Sequence, residues 1–226
     1  MKKVLALLLA FCCIFVAVSC GGGDNNNGNG GANNDSKVKA ISDVINNSQP
    51  TYMDTLTSYN VDGEEYKGRF ETTIDKAASR SSFTFNYARP ALVEEMHDSP
   101  TKTVSGTVYY KDGQVSVNEG DSWETVGNKY LELNINLDAS KLKEYTVSED
   151  GNSITAKVLP ANAERVLGTV IDAEGDISVE ITTNGTYLWR VLITYTAAGT
   201  GAEVSVDTSY DYSIRTLVFP GDEVEE

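Results

Sequence analysis

The chain has 226 residues, of which 33 are acidic and 18 basic, and its formal net charge at neutral pH is −15. A surface this negative repels phosphate groups, which excludes nucleic acid as a partner and disfavours adhesion to anionic lipid head groups. The cysteines, Cys12, Cys13 and Cys20, all lie near the start of the chain. The remaining sequence therefore has no cysteine for an internal disulfide or a thiolate metal site.

The chain begins with an apolar segment behind a short basic start. Lys2 and Lys3 precede an uncharged run from Val4 to Val18, and a charged start followed by about 7–15 apolar residues is typical of a secretory signal. The run is shorter than the roughly 20 residues that a membrane-spanning helix needs. A buried helix would be expected to show an amphipathic pattern, which this run lacks. We therefore predict a cleaved signal peptide over residues 1–19.

The signal ends in Ala17-Val18-Ser19-Cys20, which resembles the lipobox of bacterial lipoproteins. The resemblance implies that Cys20 carries a diacylglyceryl group and becomes the new N-terminus, anchored on the extracytoplasmic side of a bacterial membrane. Ala17 stands where Leu is favoured in lipoboxes, and Val18 where a small residue is usual. Residues 20–35 are then the lipidated cysteine and a flexible Gly/Asn-rich tether with a reach of roughly 20 Å. Cleavage removes two of the 18 basic residues and leaves 33 acidic ones, a net charge of −17.

Residues 36–220 predict a single antiparallel β domain, followed by an acidic tail over residues 221–226. The domain starts with a short helix that Ser36 caps and that Asn46 to Pro50 end. Its apolar residues recur at helical spacing: Val38, Ile41, Val44 and Ile45.

Most of the remaining sequence alternates between apolar and polar residues, which predicts strands with one buried and one solvated face. The clearest segments are LELNINL (131–137), FTFNY (83–87), SITAKV (153–158), ISVEI (177–181) and VSVDTSYDYSI (204–214). Two-residue turn signals at Asp112-Gly113, Asp150-Gly151 and Asn184-Gly185 predict hairpins. This is a meander of about ten or eleven strands.

Two further segments interrupt the strands. Pro160 begins a predicted helix with Val166, Leu167, Val170 and Ile171 as its apolar stripe. Residues 91–98 are either a helical turn or a loop. In the strand that follows Asn184-Gly185, Trp189 shares the alternating positions of Val191 and Ile193, so we expect it to pack in the core.

These elements predict a mainly β (α+β) fold: a strongly curved antiparallel sheet, or incomplete β-barrel, with two or three short helices against its concave face. The apolar face of so many strands is wider than two short helices can cover. If the sheet curls without closing, an apolar trough remains that suits an acyl chain. If it closes or forms a sandwich, side chains fill the interior. The periodicity fits both arrangements.

The order of elements is similar to that of the LolA/LppX-LprG superfamily of lipoprotein carriers and lipid-binding lipoproteins. The similar parts are the N-terminal helix, YYKDGQVSVNEGDSWE, ISVEITTNGTYLWRVLITYT and SVDTSYDYSIRTLVFP. The resemblance implies an incomplete β-barrel around helices, with a cavity for acyl chains or a lipidated polypeptide. No binding residue of the superfamily can be matched to a position in this chain.

The sequence offers no assembled catalytic or metal motif. His97 is the only histidine, and its neighbours Glu94, Glu95 and Asp98 lack the spacing of a metal-binding helix. A solvated acidic loop is the better interpretation. No GxSxG elbow or phosphate-binding glycine loop follows a strand. We therefore predict no enzymatic activity, no metal and no cofactor.

The sequence predicts a membrane-anchored extracytoplasmic lipoprotein that binds or carries a hydrophobic ligand: an acyl chain, a lipid or a lipidated polypeptide. The candidate ligand-binding residues are the inward-facing apolar ones: Phe83, Phe85, Leu133, Ile135 and Val206. The alternative is a tethered, non-enzymatic interaction or structural module with a filled core. Its acidic face would bind a basic partner or a cell-wall component.

Overall fold

The computed structural model describes residues 32–91, 101–111, 114–117, 124–125, 135–219 and 222. It contains two α-helices, α1 (Ala32–Asn47) and α2 (Pro160–Leu167), and a short 3₁₀ turn at Ala139–Lys141. Neither of the described helices is long and apolar enough to cross a membrane. Several features predicted from the sequence lie outside the described residues, among them the signal peptide, Cys20, Asp112-Gly113, His97 and Leu133.

The described strands confirm a mainly β, antiparallel protein. They are β1 (Tyr52–Val61), β2 (Glu64–Asp75), β3 (Arg80–Pro90), β4 (Thr101–Lys111), β5 (Gln114–Val117), β6 (Glu124–Thr125), β7 (Leu142–Val147), β8 (Ser153–Val158), β9 (Ile177–Thr183), β10 (Leu188–Thr196) and β11 (Glu203–Asp211). They form one sheet in the order β6-β5-β4-β3-β2-β1-β11-β10-β9-β8-β7. Because β6 and β7 are the two ends of this order, the described strands do not close into a barrel.

The chain divides into two compact units. Of the described residues, the helical unit comprises 32–49, 59–65 and 135–207, and it contains both described α-helices. The sheet unit comprises the described residues of 50–58, 66–125 and 208–222. Strands β1, β2 and β11 contribute residues to both units, and the two units are described separately below.

Helix α1 packs its predicted apolar stripe against the strands of the helical unit. Val38, Ile41 and Ile45 are each 1% exposed, which fits their i, i+3, i+7 spacing. The helix begins at Ala32, four residues before the predicted start, so residues 32–35 are helical rather than part of the tether. It ends where predicted: the Ser48 hydroxyl donates to the Val44 carbonyl oxygen at 2.8 Å and accepts the Leu188 backbone N–H at 2.8 Å.

Two of the predicted hairpins form in the helical unit, but with loops of four residues instead of the predicted two. Strands β7 and β8 are joined by residues 149–152, and β9 and β10 by residues 184–187. Both glycines have positive φ, 73° for Gly151 and 82° for Gly185, a conformation that glycine adopts without steric cost. A two-residue turn does form at Asp62-Gly63 between β1 and β2, where both residues have positive φ, 53° and 84°. It was not predicted, although Asp-Gly is a strong hairpin signal.

Helix α2 begins at Pro160 as predicted but stops before its predicted end. Gly168 adopts a left-handed conformation (φ 71°), and its N–H donates to the Glu164 carbonyl oxygen, which terminates the helix. Val170 therefore lies beyond the helix and is 67% exposed, whereas Val166 is fully buried.

The prediction of a strand at 131–137 is wrong for its described part. Residues 135–138 have no strand partner, because the Asn136 N–H donates instead to the Val166 carbonyl oxygen of α2 at 2.9 Å. The alternation of burial is nevertheless real. Ile135 and Leu137 are 7% and 4% exposed, and the intervening Asn136 is exposed.

The prediction that Trp189 packs in the core is also wrong, since its side chain is 56% exposed. The pairing of β10 with β9 shifts register between Leu188 and Arg190, which is a β-bulge. Leu188 and Val191 are buried on either side of this bulge. The extra residue therefore turns Trp189 and Arg190 towards solvent, as bulges characteristically re-aim side chains.

The last predicted strand is shorter than the alternation suggests. Strand β11 ends at Asp211, where the carboxylate accepts hydrogen bonds from the backbone N–H and the hydroxyl of Ser213. This local turn competes with continued pairing. As a result Ile214, predicted to lie in the strand, is 96% exposed.

Candidate functional site

The buried sheet face of the helical unit is filled by side chains. Strands β8 and β9 align their inward residues in register, with Ile154 opposite Ile181 and Val158 opposite Ile177. These four side chains are all fully buried. Helix α1 packs against both strands, and α2 packs against β8.

Two candidate ligand-binding residues lie in this filled unit. Val206 is 4% exposed and Ile135 is 7% exposed, and both belong to the helical unit. Phe83 and Phe85 belong instead to the sheet unit, and Leu133 lies outside the described residues. The candidates thus fall in two separately described units, and their role in binding remains a prediction.

Phe83 and Phe85 lie on an apolar face of the sheet unit that we call the aromatic face. Along β3 they alternate with polar residues, and the register places Phe85 opposite Phe70 of β2 and opposite Gly106 of β4. Directly opposed residues share a sheet face. The aromatic face therefore also includes Tyr87, Val104, Val108 and Tyr110. All these side chains except Phe70 are only half-buried.

The rings of the aromatic face form a contiguous cluster. The centroid of Phe70 lies 5.9 Å from that of Phe83 and 6.0 Å from that of Tyr87, and both pairs are stacked. Phe85 lies 6.1 Å from each of Phe83 and Tyr87. These separations fall in the range of favourable aromatic contacts. The cluster offers a continuous apolar strip along β3.

Two glycines shape this strip. Gly68 lies opposite Tyr87, and a Cβ atom there would be 2.7 Å from Thr57 Oγ1, 2.9 Å from Tyr87 Cβ and 3.0 Å from Phe70 Cε2. The position therefore admits only glycine without a shift of its neighbours. Gly106 lies opposite Phe85, so β4 presents backbone rather than a side chain beside that ring.

The opposite face of these strands is polar. Thr84 and Thr107 are directly opposed and hydrogen-bonded at 3.2 Å. The C-terminal segment runs over this side: Phe219 packs on Tyr109 with ring centroids 5.2 Å apart, and Arg80 forms an ion pair with Asp222 at 2.5 Å. The backbone N–H of Phe219 and the nearby guanidinium of Arg80 hold the pKa of Asp222 below its usual value.

A second polar group of this unit surrounds Tyr52. Its hydroxyl donates to Glu71, and the guanidinium of Arg215 stacks 4.0 Å above its ring. Burial, followed by the hydrogen bond to Glu71, raises the pKa of Tyr52 to about 12. Arg69 bridges the same carboxylate and that of Asp54, which it binds with two hydrogen bonds of 2.9 Å. These contacts join the five side chains into one polar network.

An open cleft of about 530 Å³ lies beside α1 in the helical unit. It is lined by Asp35, Val38, Lys39, Ser42, Asp43 and Asn46 of the helix and by residues 136–140. The charged groups in it are paired: Lys39 binds Asp43 at 3.0 Å, and the Tyr145 hydroxyl donates to Asp35. The polar lining does not suit an acyl chain.

The described residues contain no group of three or more histidine, cysteine or acidic side chains placed to hold a metal ion. The described clusters of titratable groups are ion pairs and hydrogen-bonded turns. The aromatic face was only partly predicted. The alternation in FTFNY pointed to Phe83 and Phe85, but Phe70, Val104 and Val108 become their neighbours only through the register of three strands.

An open antiparallel sheet with a half-buried aromatic face defines a mainly β protein, and the comparisons with known proteins do not refine that class to a family. No family model matches the chain, and no curated protein matches it. Among solved structures it is similar to a DUF1329 family protein from Desulfovibrio piger. That match has 9% identity and a TM-score of 0.27, and it covers 80% of this chain and 94% of the other. A likeness this distant carries no functional argument.

Proposed function

We propose that this chain is a membrane-anchored extracytoplasmic lipoprotein whose aromatic face binds a hydrophobic ligand, an acyl chain in the first instance. The observation that carries the proposal is the half-buried cluster of Phe83, Phe85 and Tyr87 beside Val108. Contiguous apolar surface of this kind, in contrast to scattered exposed residues, marks a binding surface.

The energetic basis of the proposal is burial of acyl methylene groups against the ring strip. Each buried methylene contributes about 0.8 kcal/mol. Ten methylenes therefore supply about 8 kcal/mol, from which the cost of ordering the chain must be subtracted. Gly106 is compatible with this role, because β4 presents no side chain opposite Phe85.

The proposal includes the anchor and the finer fold predicted from the sequence. Lipidation of Cys20 rests on the lipobox resemblance, and two or more acyl chains give stable anchoring where one does not. The incomplete β-barrel that the LolA-like resemblance implies would surround the ligand on the side of Phe83 and Phe85. The non-enzymatic character and the absence of a cofactor are also parts of this proposal.

A fatty-acid titration tests the proposal. The delipidated full chain, titrated with a fluorescent fatty acid, is expected to show saturable uptake. Phe85→Asp places a charge in the aromatic strip and is expected to abolish uptake. Thr84→Asp is the matched control, because Thr84 is the adjacent residue of β3 and faces the polar side. If wild type shows no saturable uptake, or if both variants lose it equally, the ligand is not bound on this face.

The alternative, a tethered interaction module with a filled core, is favoured by one observation: the fully buried Ile154, Ile177 and Ile181 of the helical unit. Native mass spectrometry of gently purified protein separates the two functions. A co-purifying lipid supports the carrier. Bare protein, together with failure of fatty-acid uptake, supports the module and directs the search to basic partners of its acidic surface.

A further inference from the structure

One end of the aromatic face carries two positively charged side chains. The register between β3 and β4 continues without a shift to the end of both strands, where Arg89 lies directly opposite Lys102. Side chains alternate between the two faces along a strand, and directly opposed residues share a face. Arg89 and Lys102 therefore lie on the same face as Phe85 and Tyr87, and the aromatic face ends in a pair of cations.

This pair differs in charge from the rest of the chain. The formal net charge of the chain is −15, yet in the described parts of β3, β4 and β5 the charged side chains on the aromatic face are Arg89 and Lys102, both positive. Like charges that are directly opposed on a sheet face repel each other. An anion placed beside both side chains would offset this repulsion.

The other end of the same two strands shows such an arrangement on the polar side. There Arg80 lies directly opposite Lys111, which is again a pair of opposed cations. The carboxylate of Asp222 forms an ion pair with Arg80 at 2.5 Å. At that end the chain itself therefore supplies an anion to the cation pair.

The two ends of the aromatic face also differ in exposure. Beyond Phe83 the next residue of β3 on this face is Ser81, which is 2% exposed. At the other end Lys102 is exposed and Arg89 is half-buried, with its Nη1 donating to the Pro90 carbonyl oxygen at 3.1 Å. The strand rises about 20 Å over the six residues between these ends. The aromatic face thus has a covered apolar end and an open, positively charged end.

We propose that the aromatic face binds a free fatty acid, with its carboxylate at Arg89 and Lys102 and its chain along β3 towards Phe83. The inference rests on the proposed function and adds to it the head group and the direction of the ligand. A guanidinium matches the two oxygens of a carboxylate, and an ammonium group adds a second positive charge. A single acyl chain suits a row of rings that follows one strand.

Titration with a matched pair of ligands tests this proposal. The delipidated full chain is titrated with a fluorescent fatty acid and with its methyl ester, which keeps the acyl chain but lacks the charge. We expect wild type to bind the acid about tenfold more tightly than the ester. Arg89→Gln combined with Lys102→Gln should remove this preference and leave the affinity for the ester unchanged, which also shows that the variant is folded.

Two single variants and a change of salt serve as controls. Lys111→Gln removes the same charge from the same strand on the polar side, and it should keep the preference for the acid. Lys102→Arg retains the positive charge and should keep it as well. High salt should narrow the preference, because charges exposed to solvent are screened.

The outcomes separate this inference from the proposed function. If wild type binds the acid and the ester equally, or if the Arg89 and Lys102 double variant keeps the preference, the head-group site is wrong while binding to the aromatic face stands. If Lys111→Gln loses the preference to the same extent as the double variant, the effect is one of overall charge and the site is again wrong. Uptake of neither ligand would overturn both the head-group site and the proposed function.

Discussion

In the helical unit the inward residues Ile154, Ile177 and Ile181 are fully buried, whereas in the sheet unit Phe83 and Phe85 remain half-buried. The strands of both units show the same alternation of apolar and polar residues. The helical unit has two helices whose apolar stripes supply the cover for its sheet face. The comparison teaches that alternation specifies which face is apolar, while the covering elements decide whether that face is fully or only partly buried.

The largest expected difference between the units comes from truncating one side chain in each. Leu188→Ala removes a fully buried side chain and should lower the free energy of unfolding by about 2–5 kcal/mol. Phe85→Ala should cost about 1–2 kcal/mol, since only part of its ring leaves water. Urea denaturation measures both. Equal losses of unfolding free energy in the two variants would mean that the two apolar faces are buried to the same extent.

Gly68→Ala probes the packing of the aromatic face from the backbone side. The added Cβ would be 2.7 Å from Thr57 Oγ1 and 2.9 Å from Tyr87 Cβ, so we expect a loss of about 1–3 kcal/mol from overpacking. Thr57→Ala in the same chain removes the nearest atom and should recover part of this loss. Urea denaturation of both variants is the measurement, and an unchanged midpoint in Gly68→Ala would show that the strands separate at little cost.

Ser48→Ala tests the connection between α1 and β10. The substitution leaves the backbone N–H of Leu188 without its acceptor in a buried position, which should cost about 1–2 kcal/mol. Ser209→Ala, an exposed hydroxyl of the sheet unit with a 3.5 Å hydrogen bond, is the control and should change stability by less than about 0.5 kcal/mol. If both variants change the free energy of unfolding by a similarly small amount, another group accepts the hydrogen bond from the Leu188 N–H in the Ser48 variant.

The smallest effect concerns tyrosine ionisation at high pH. Burial raises the pKa of Tyr195 to about 12 from its ordinary 10.0, so the unfolded chain releases this proton at lower pH than the folded chain. The stabilising contribution is fully present below pH 10 and is lost as pH rises towards 12. Tyr195→Phe should therefore make the fall of unfolding free energy across this range shallower. A fall as steep as that of wild type would contradict the assignment.

The elements that local signals specify could be predicted from the sequence. The hairpins at Asp150-Gly151 and Asn184-Gly185 are confirmed in position, although their loops have four residues and not two. The stripe of Val38, Ile41 and Ile45 predicted the buried side of α1 for the same reason. The end of α2 at Gly168 is also set locally, because a glycine in the left-handed conformation caps the helix. The apolar Val170 and Ile171 after it led to the prediction of a longer helix.

Features that depend on register or on distant partners could not be predicted. Trp189 faces solvent because the pairing of β10 shifts by one residue, and a single strand's alternation does not reveal a bulge. Residues 135–138 alternate like a strand, but the Asn136 N–H donates to a carbonyl oxygen of α2 more than twenty positions away. The aromatic face likewise needs the registers of β2, β3 and β4 before Phe70, Phe85 and Gly106 come together.

The hydroxyl of Ser48, which accepts the amide of Leu188, joins residues that are 140 positions apart. A ribosome makes the helix that precedes Ser48 early and the strand that begins at Leu188 late. Helix α1 therefore emerges long before the strands that bury its apolar stripe have been synthesised. Until the strand that begins at Leu188 has been made, the nascent chain cannot complete the helical unit. Folding of this unit therefore waits for the last third of translation.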